Sequence, residues 1–195
     1  MRLFIAVNFD GEAKRRILAV QERIREEAKG GKFSPPENLH MTLAFLGETP
    51  EERLQAVKEA MVCSARQGGK SVPSFEITLS NTGFFRRGHK ELWWLGTDSK
   101  ENNGNLGSLK ELQSRLSAEL RARNFSIESR PFTAHITLGR EIQSSSANGL
   151  WPFKTETIVI PVKRLSLMQS RHTAGQKNIL VYTELFGHDL DKREN

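Results

Sequence analysis

Histidine followed two residues later by threonine and then leucine occurs twice in this chain, at His40-Met41-Thr42-Leu43 and at His135-Ile136-Thr137-Leu138. The chain holds only five histidines. Shuffling its composition would yield two such motifs roughly 4 times in 10,000, so the repeat carries information. Both motifs lie in alternating stretches, 38–46 and 131–139, where a strand points successive side chains to opposite faces. In the first, Leu39, Met41, Leu43 and Phe45 share a face, with His40, Thr42 and Ala44 on the other. In the second, Phe132, Ala134, Ile136 and Leu138 share a face, with Thr133, His135, Thr137 and Gly139 opposite. Each strand thus buries an apolar face and presents His and Thr together on its second face.

That arrangement suits cleavage of a phosphodiester. Without a metal, one group must take a proton from water while another gives one to the leaving oxygen. Histidine, with an unperturbed pKa of about 6.5, fills either role near neutral pH. Attack and departure occur on opposite sides of phosphorus, so the two histidines have to approach from opposite sides. The hydroxyls of Thr42 and Thr137 can donate to non-bridging oxygens, and Arg140 can neutralise charge as a bidentate donor. For one motif alone, a strand histidine bonded to its own threonine is the simpler account. The matched pair followed by Arg140 favours paired proton transfer. A zinc site would need a carboxylate or cysteine beside the histidines at ligand spacing, and neither is there, so no metal or other cofactor is expected.

The elements that must hold these motifs alternate in type. Arg2 to Phe9 is a short apolar run and reads as a buried strand. Asp10 caps a helix whose apolar positions Ile17, Val20, Ile24 and Ala28 recur until Gly30-Gly31. After the Ser34-Pro35-Pro36 loop and the first motif strand, Thr49-Pro50-Glu51-Glu52 opens a second helix carrying Leu54, Val57, Met61 and Ala65. Strands follow near 74–80 and 91–96, then a polar loop over 98–107 and a third helix marked by Leu109, Leu112, Leu116 and Leu120. The second motif strand leads to a polar loop at 144–148, strands at 157–162 and 165–170, a turn at 173–175 and a last strand at 178–186. The resulting order, β-α-β-α-β-β-α-β-β-β-β, argues an α+β fold and against a doubly wound parallel sheet.

Composition sets the outer bounds. With 195 residues, 37% hydrophobic and 27% charged, the chain has the balance of one soluble globular unit. Its net charge of +6 suits a polyanionic partner, although a solvated basic surface gives the same count. The single cysteine, Cys63, rules out an internal disulfide and reads as a small buried position. Asn8 and Asp10 end the first apolar run, and no stretch approaches the roughly 20 apolar residues of a membrane span. A cytoplasmic protein with no membrane association is expected.

At these motifs the chain resembles the two-histidine phosphoesterase superfamily, and within it the RNA 2′,3′-cyclic phosphodiesterase family, first named 2′-5′ RNA ligase. The resemblance runs from Arg2-Leu3-Phe4-Ile5-Ala6-Val7 through Asn38 to Glu48, Leu92-Trp93 and Phe132 to Arg140, ending in Leu165 to Ser170. It implies one bilobal domain over residues 1–195, with an antiparallel sheet in each lobe flanked by helices and an active groove between them. It also implies hydrolysis of an RNA terminal 2′,3′-cyclic phosphate to a 2′-phosphate, by a monomer with no obligate protein partner. On the family pattern His40 matches the proton donor, His135 the base and Arg140 a phosphate contact, while spacing alone leaves acid and base unassigned. The chain departs from the pattern at Ala134, where the family often has proline, and at Ala44, where it commonly has a basic residue.

Other readings use the same residues. A relative acting on 2′-5′ linked or small cyclic nucleotides, with ligation as the reverse reaction, would need the same two histidines. A non-catalytic RNA-binding module would have no need of two proton-transfer groups. His89, in the basic turn 86–90, reads as solvated, and His172 and His188 as non-catalytic. Arg130 is a candidate backbone contact. Phe45, Trp93 and Trp94 are expected to pack in the core.

Overall fold

A computed structural model describes residues 1–88, 90–97, 104–144, 152–173 and 180–191. His89 lies outside these residues, as do most of the polar loops expected at 98–107 and 144–148 and part of the turn at 173–175.

Eleven strands and three α-helices form among the described residues. The strands are β1 (Arg2–Asn8), β2 (Ala28–Phe33), β3 (His40–Glu48), the short β4 (Arg66–Gln67) and β5 (Lys70–Ser71), β6 (Phe75–Arg87), β7 (Lys90–Gly96), β8 (His135–Ser144), β9 (Lys154–Val162), β10 (Arg164–His172) and β11 (Leu180–Asp189). The helices are α1 (Gly11–Glu27), α2 (Leu54–Ser64) and α3 (Gly104–Ala122). The α+β class and the strand and helix order follow the sequence pattern, with a few local departures. Ala28 opens β2 where the helical stripe was expected to continue, because the run through Gly30-Gly31 favours extended backbone over helix. Thr49 is buried and does not cap α2; Glu51–Arg53 form a 3-10 turn first, with Pro50 before it. β6 runs through Gly83-Phe84-Phe85 to Arg87, beyond the strand expected near 74–80.

The strand order is β11-β10-β1-β3-β8-β7-β6-β9, with β2 added on β8, and each of these pairings is antiparallel. The path divides naturally at its middle. β3 and β8 meet at a single registered pair, Met41 with Ile136, whereas the neighbouring ladders run for many residues. Two antiparallel half-sheets therefore touch at one point, and each histidine motif lies on the strand at that contact.

Helices cover the apolar side. Asp10 caps α1 by accepting from the Ala13 amide at 2.8 Å, satisfying one of the orphan donors at the helix start. The helix buries Ala13, Ile17, Val20 and Ile24 and packs on β2, β8 and β9. The leucines 109, 112, 116 and 120 of α3 are all fully buried, against α2, β3 and β6. Because α3 touches a strand of each half-sheet, one helix bridges the two halves behind the Met41–Ile136 contact. Each such leucine contributes about 1.5–3 kcal/mol of burial. No helix among the described residues is long and apolar enough to cross a membrane.

Candidate active site

The Met41–Ile136 pair organises the site. Both side chains are fully buried, so the residues flanking them point to the other face. The strands are antiparallel, so one step out from the pair brings His40 opposite Thr137 and Thr42 opposite His135. The two motifs thus meet with approximate two-fold symmetry, and all four side chains stand partly exposed on one face.

Each imidazole is anchored in the same way. His40 Nδ1 lies 2.7 Å from the Asn38 carbonyl oxygen, and His135 Nδ1 lies 2.8 Å from the Thr133 carbonyl oxygen. A carbonyl oxygen only accepts, so both Nδ1 atoms donate, and in the neutral ring the lone pair falls on Nε2. At His40 that Nε2 is 3.0 Å from Thr42 Oγ1. The matching bond from Thr137 to His135 is not made among the described residues. Asn38 is held in turn by donating from Nδ2 to the Leu180 carbonyl at 2.9 Å, which ties the first motif to β11.

Burial lowers the pKa of both histidines below 6.5, against the opposing pull of their carbonyl bonds. The positive charge of Arg140 lowers both further, and His135 and Lys14 add to the effect at His40. Tyr182 is shifted the other way, upward, by burial, with Arg140 and Arg2 opposing. Three cations, Arg140, Lys14 and Arg2, therefore bear on this cluster. An anion bound there would meet positive charge and two imidazoles ready to accept or pass a proton.

Backbone irregularities decide which neighbours join the face. Between Thr42 and Ala44, β3 carries one more residue than β1 opposite it, a β-bulge at Leu43. Beyond it the alternation inverts: Ala44 is buried and Phe45 is 62% exposed. Phe45 is therefore outside the core, contrary to the sequence expectation, and its ring lies 6.4 Å from that of Phe4. The second motif has its own bulge. Register slips between Trp93 and Trp94 leave Leu138 and Gly139 both facing inward; a Cβ on Gly139 would meet Ile142 and Phe33. Strict alternation would bury Arg140 beside Ile136 and Leu138, and the bulge turns it out to the surface. The next residue, Glu141, takes a left-handed φ of 57° and pairs with Lys32 and Lys90, each at 3.3 Å.

Other side chains line the site that the motifs alone do not identify. Phe4 and Tyr182 flank His40, at 4.8 and 5.2 Å between rings. Phe85 and Trp94 flank His135, at 5.5 and 6.5 Å. Trp93 is fully buried as expected, but Trp94 faces the site, lying flat on Gly83 and Gly96, where any Cβ would strike the indole. Its i+1 relation to a buried Trp93 was the available signal. Behind the second motif, the buried amide of Gln21 donates to the carbonyls of Leu138 and Ser34, both at 2.8 Å, and Ser34 Oγ donates to Thr137 O. Cys63 is exposed, not buried, beside Arg123, and Arg130 is occupied by Glu128. No group of three or more His, Cys, Asp or Glu side chains converges as metal ligands would among the described residues.

A family model described as LigT-like phosphoesterase matches residues 7–94 and 102–176. An RNA 2′,3′-cyclic phosphodiesterase of Thermotoga maritima is 33% identical over 141 residues, 72% of this chain and 70% of that protein. One of Archaeoglobus fulgidus is 30% identical over 141 residues, 72% of each chain. The crystal structure of E. coli LigT complexed with 3′-AMP superposes with a TM-score of 0.76 over 97% of each chain, at 27% identity.

Proposed function

The chain belongs to the LigT-like phosphoesterase family, and from that membership we propose that it hydrolyses the terminal 2′,3′-cyclic phosphate of RNA to a 2′-phosphate, with His40 and His135 as the paired proton carriers and no metal. The observation that carries this reading is the matched anchoring of the two imidazoles. Each Nδ1 is committed to a backbone carbonyl two residues upstream, so in each neutral ring Nε2 is the atom left for proton transfer.

The proposed step runs in line through phosphorus. Water attacks on the side of His135, whose Nε2 takes its proton. The bond from phosphorus to the 3′ oxygen breaks, and His40, protonated, gives its proton to that oxygen. The 2′ ester bond survives, so the product is a 2′-phosphate with a free 3′ hydroxyl. Thr42, Thr137 and Arg140 stabilise the charge on the non-bridging oxygens, which grows at the moment of displacement. Because both imidazoles are held below 6.5 in the free protein, the bound phosphate itself favours protonating one of them. Phe45 and Phe85, both exposed, offer apolar ring faces for the nucleoside.

A short RNA ending in a 2′,3′-cyclic phosphate, incubated with the protein in EDTA, provides the test. The expected product is the 2′-phosphate, absent with either His40→Ala or His135→Ala. A 3′-phosphate product would reverse the leaving group, and activity lost in EDTA but restored by zinc would overturn the metal-free mechanism.

A further inference from the structure

Next to the His135 motif, at the end of β7 and against α3, lies a cavity of about 520 Å³. It shares two walls with the cluster. One is Trp94, whose ring is 6.5 Å from His135. The other is Thr133, whose carbonyl anchors the His135 ring. Other walls include Lys110 on α3, Lys154 at the start of β9, Phe132, Phe153 and Asn81 of β6. The buried indole N–H of Trp94 has no acceptor among the described residues.

Size, charge and position together limit the occupant. A cavity of this volume takes a group of roughly drug or nucleotide size. Aromatic walls suit a base, whose flat face stacks without regard to sequence. The two ammonium groups suit a phosphate. A cyclic mononucleotide has a single phosphate, and the histidines, threonines and Arg140 already account for it. In an RNA chain a second phosphate is always present, the diester that joins the terminal nucleoside to the one before it.

We propose that this cavity is a subsite for the penultimate nucleotide of the RNA, with Lys110 and Lys154 neutralising the diester phosphate next to the cyclic end and Trp94 and Phe132 contacting the base. The inference rests on the cyclic phosphodiesterase reading and adds a preference for polymer ends over mononucleotides.

The test compares kcat/KM for 2′,3′-cyclic AMP with that for the dinucleotide ApA ending in a 2′,3′-cyclic phosphate. Wild type should favour the dinucleotide. In the Lys110→Ala/Lys154→Ala double variant the ratio of the two values should fall by roughly tenfold, and the Lys→Arg pair should restore it, as expected of two charge-assisted contacts. Raising salt should shrink the wild-type preference and leave the ratio of the double alanine variant less changed. A wild-type ratio near one, or a ratio that the double alanine variant does not move, overturns the subsite. Failure of wild type to hydrolyse either substrate would instead overturn the cyclic phosphodiesterase reading, and the subsite with it.

Discussion

His40 lies between Phe4 and Tyr182 with Thr42 at its Nε2, and its Nδ1 bond is partly buried. His135 stands against the edges of Phe85 and Trp94, its anchoring bond is at the surface, and Thr137 makes no such bond among the described residues. The two strands are near copies in sequence, yet one presents an imidazole already engaged by its threonine and the other does not. Their support differs as well. The β8 motif is pinned from behind by Gln21, 2% exposed, through a bond of 2.8 Å to Leu138 O, and the same amide holds Ser34 O at 2.8 Å. The β3 motif is reached by the half-buried Gln113, through one bond of 3.2 Å to Leu43 O. A repeated motif supplies two equivalent groups, and unequal surroundings are what let them take different roles.

The comparison breaks outright if only one histidine matters. His40→Ala and His135→Ala should each lower kcat by about 10²–10⁴-fold, the range of a general acid or base. Because the two act in one step, the double variant should fall far short of the product of the singles. A single variant retaining most of wild-type turnover would end the paired scheme.

Arg140 tests what the two histidines share. Arg140→Ala should cost about 10- to 100-fold in kcat/KM, the worth of one hydrogen bond to a charged group. It should also move the pH profile. Burial is the main reason both pKa values lie low in the wild type, and the positive neighbour lowers them further, so both should rise part of the way when the charge is removed. Wild-type kcat/KM is therefore expected to peak on the acid side of 6.5, and the variant's peak to lie at higher pH. A profile that loses height without moving would separate Arg140 from the histidines.

The difference in support is read by stability. Gln21→Leu leaves the buried Leu138 carbonyl without its second donor and should lower unfolding free energy by about 1–3 kcal/mol in urea. Gln113→Leu should cost less, since its bond to the Leu43 carbonyl is longer and closer to solvent. The reverse order would mean that the first motif is the more tightly supported one.

The smallest effect sharpens the comparison most. Thr42→Val and Thr137→Val should each lower kcat/KM by about 2- to 10-fold, one ordinary hydrogen bond. Only Thr42→Val should displace a limb of the pH profile, because only Thr42 bonds its own histidine in the free protein. Matching shifts from both would make the two sites equivalent.

Much of this was legible in the sequence, because strand alternation is local. Leu39, Met41, Ile136 and Leu138 are buried and His40, Thr42, His135 and Thr137 share the opposite face, as a period of two requires. The helix stripes at Ile17, Val20 and Ile24, and at Leu109 through Leu120, were equally readable from a period of 3.6. The rule fails at Phe45, Gly139 and Arg140, one or two residues past each motif. A bulge depends on how many residues the partner strand offers, and nothing in the bulged strand alone reveals that count. Trp94 escaped for a related reason: its exposure depends on Gly83 and Gly96 from two strands leaving room for the ring.

The sequence by itself determined the chemistry available: two histidines, each paired with a threonine on one face of a strand, in a basic α+β chain. Only the tertiary structure decided that those strands, 95 residues apart in the chain, meet at Met41 and Ile136 with their motifs in antiparallel symmetry. It alone brought in Phe4, Tyr182, Phe85 and Trp94, and it alone set the depth at which both imidazoles lose their ordinary basicity. The physical reason is range. Side-chain direction along a strand is fixed by bonds to the adjacent residue, whereas strand pairing, desolvation and the field of Arg140 are set by groups that only folding brings near.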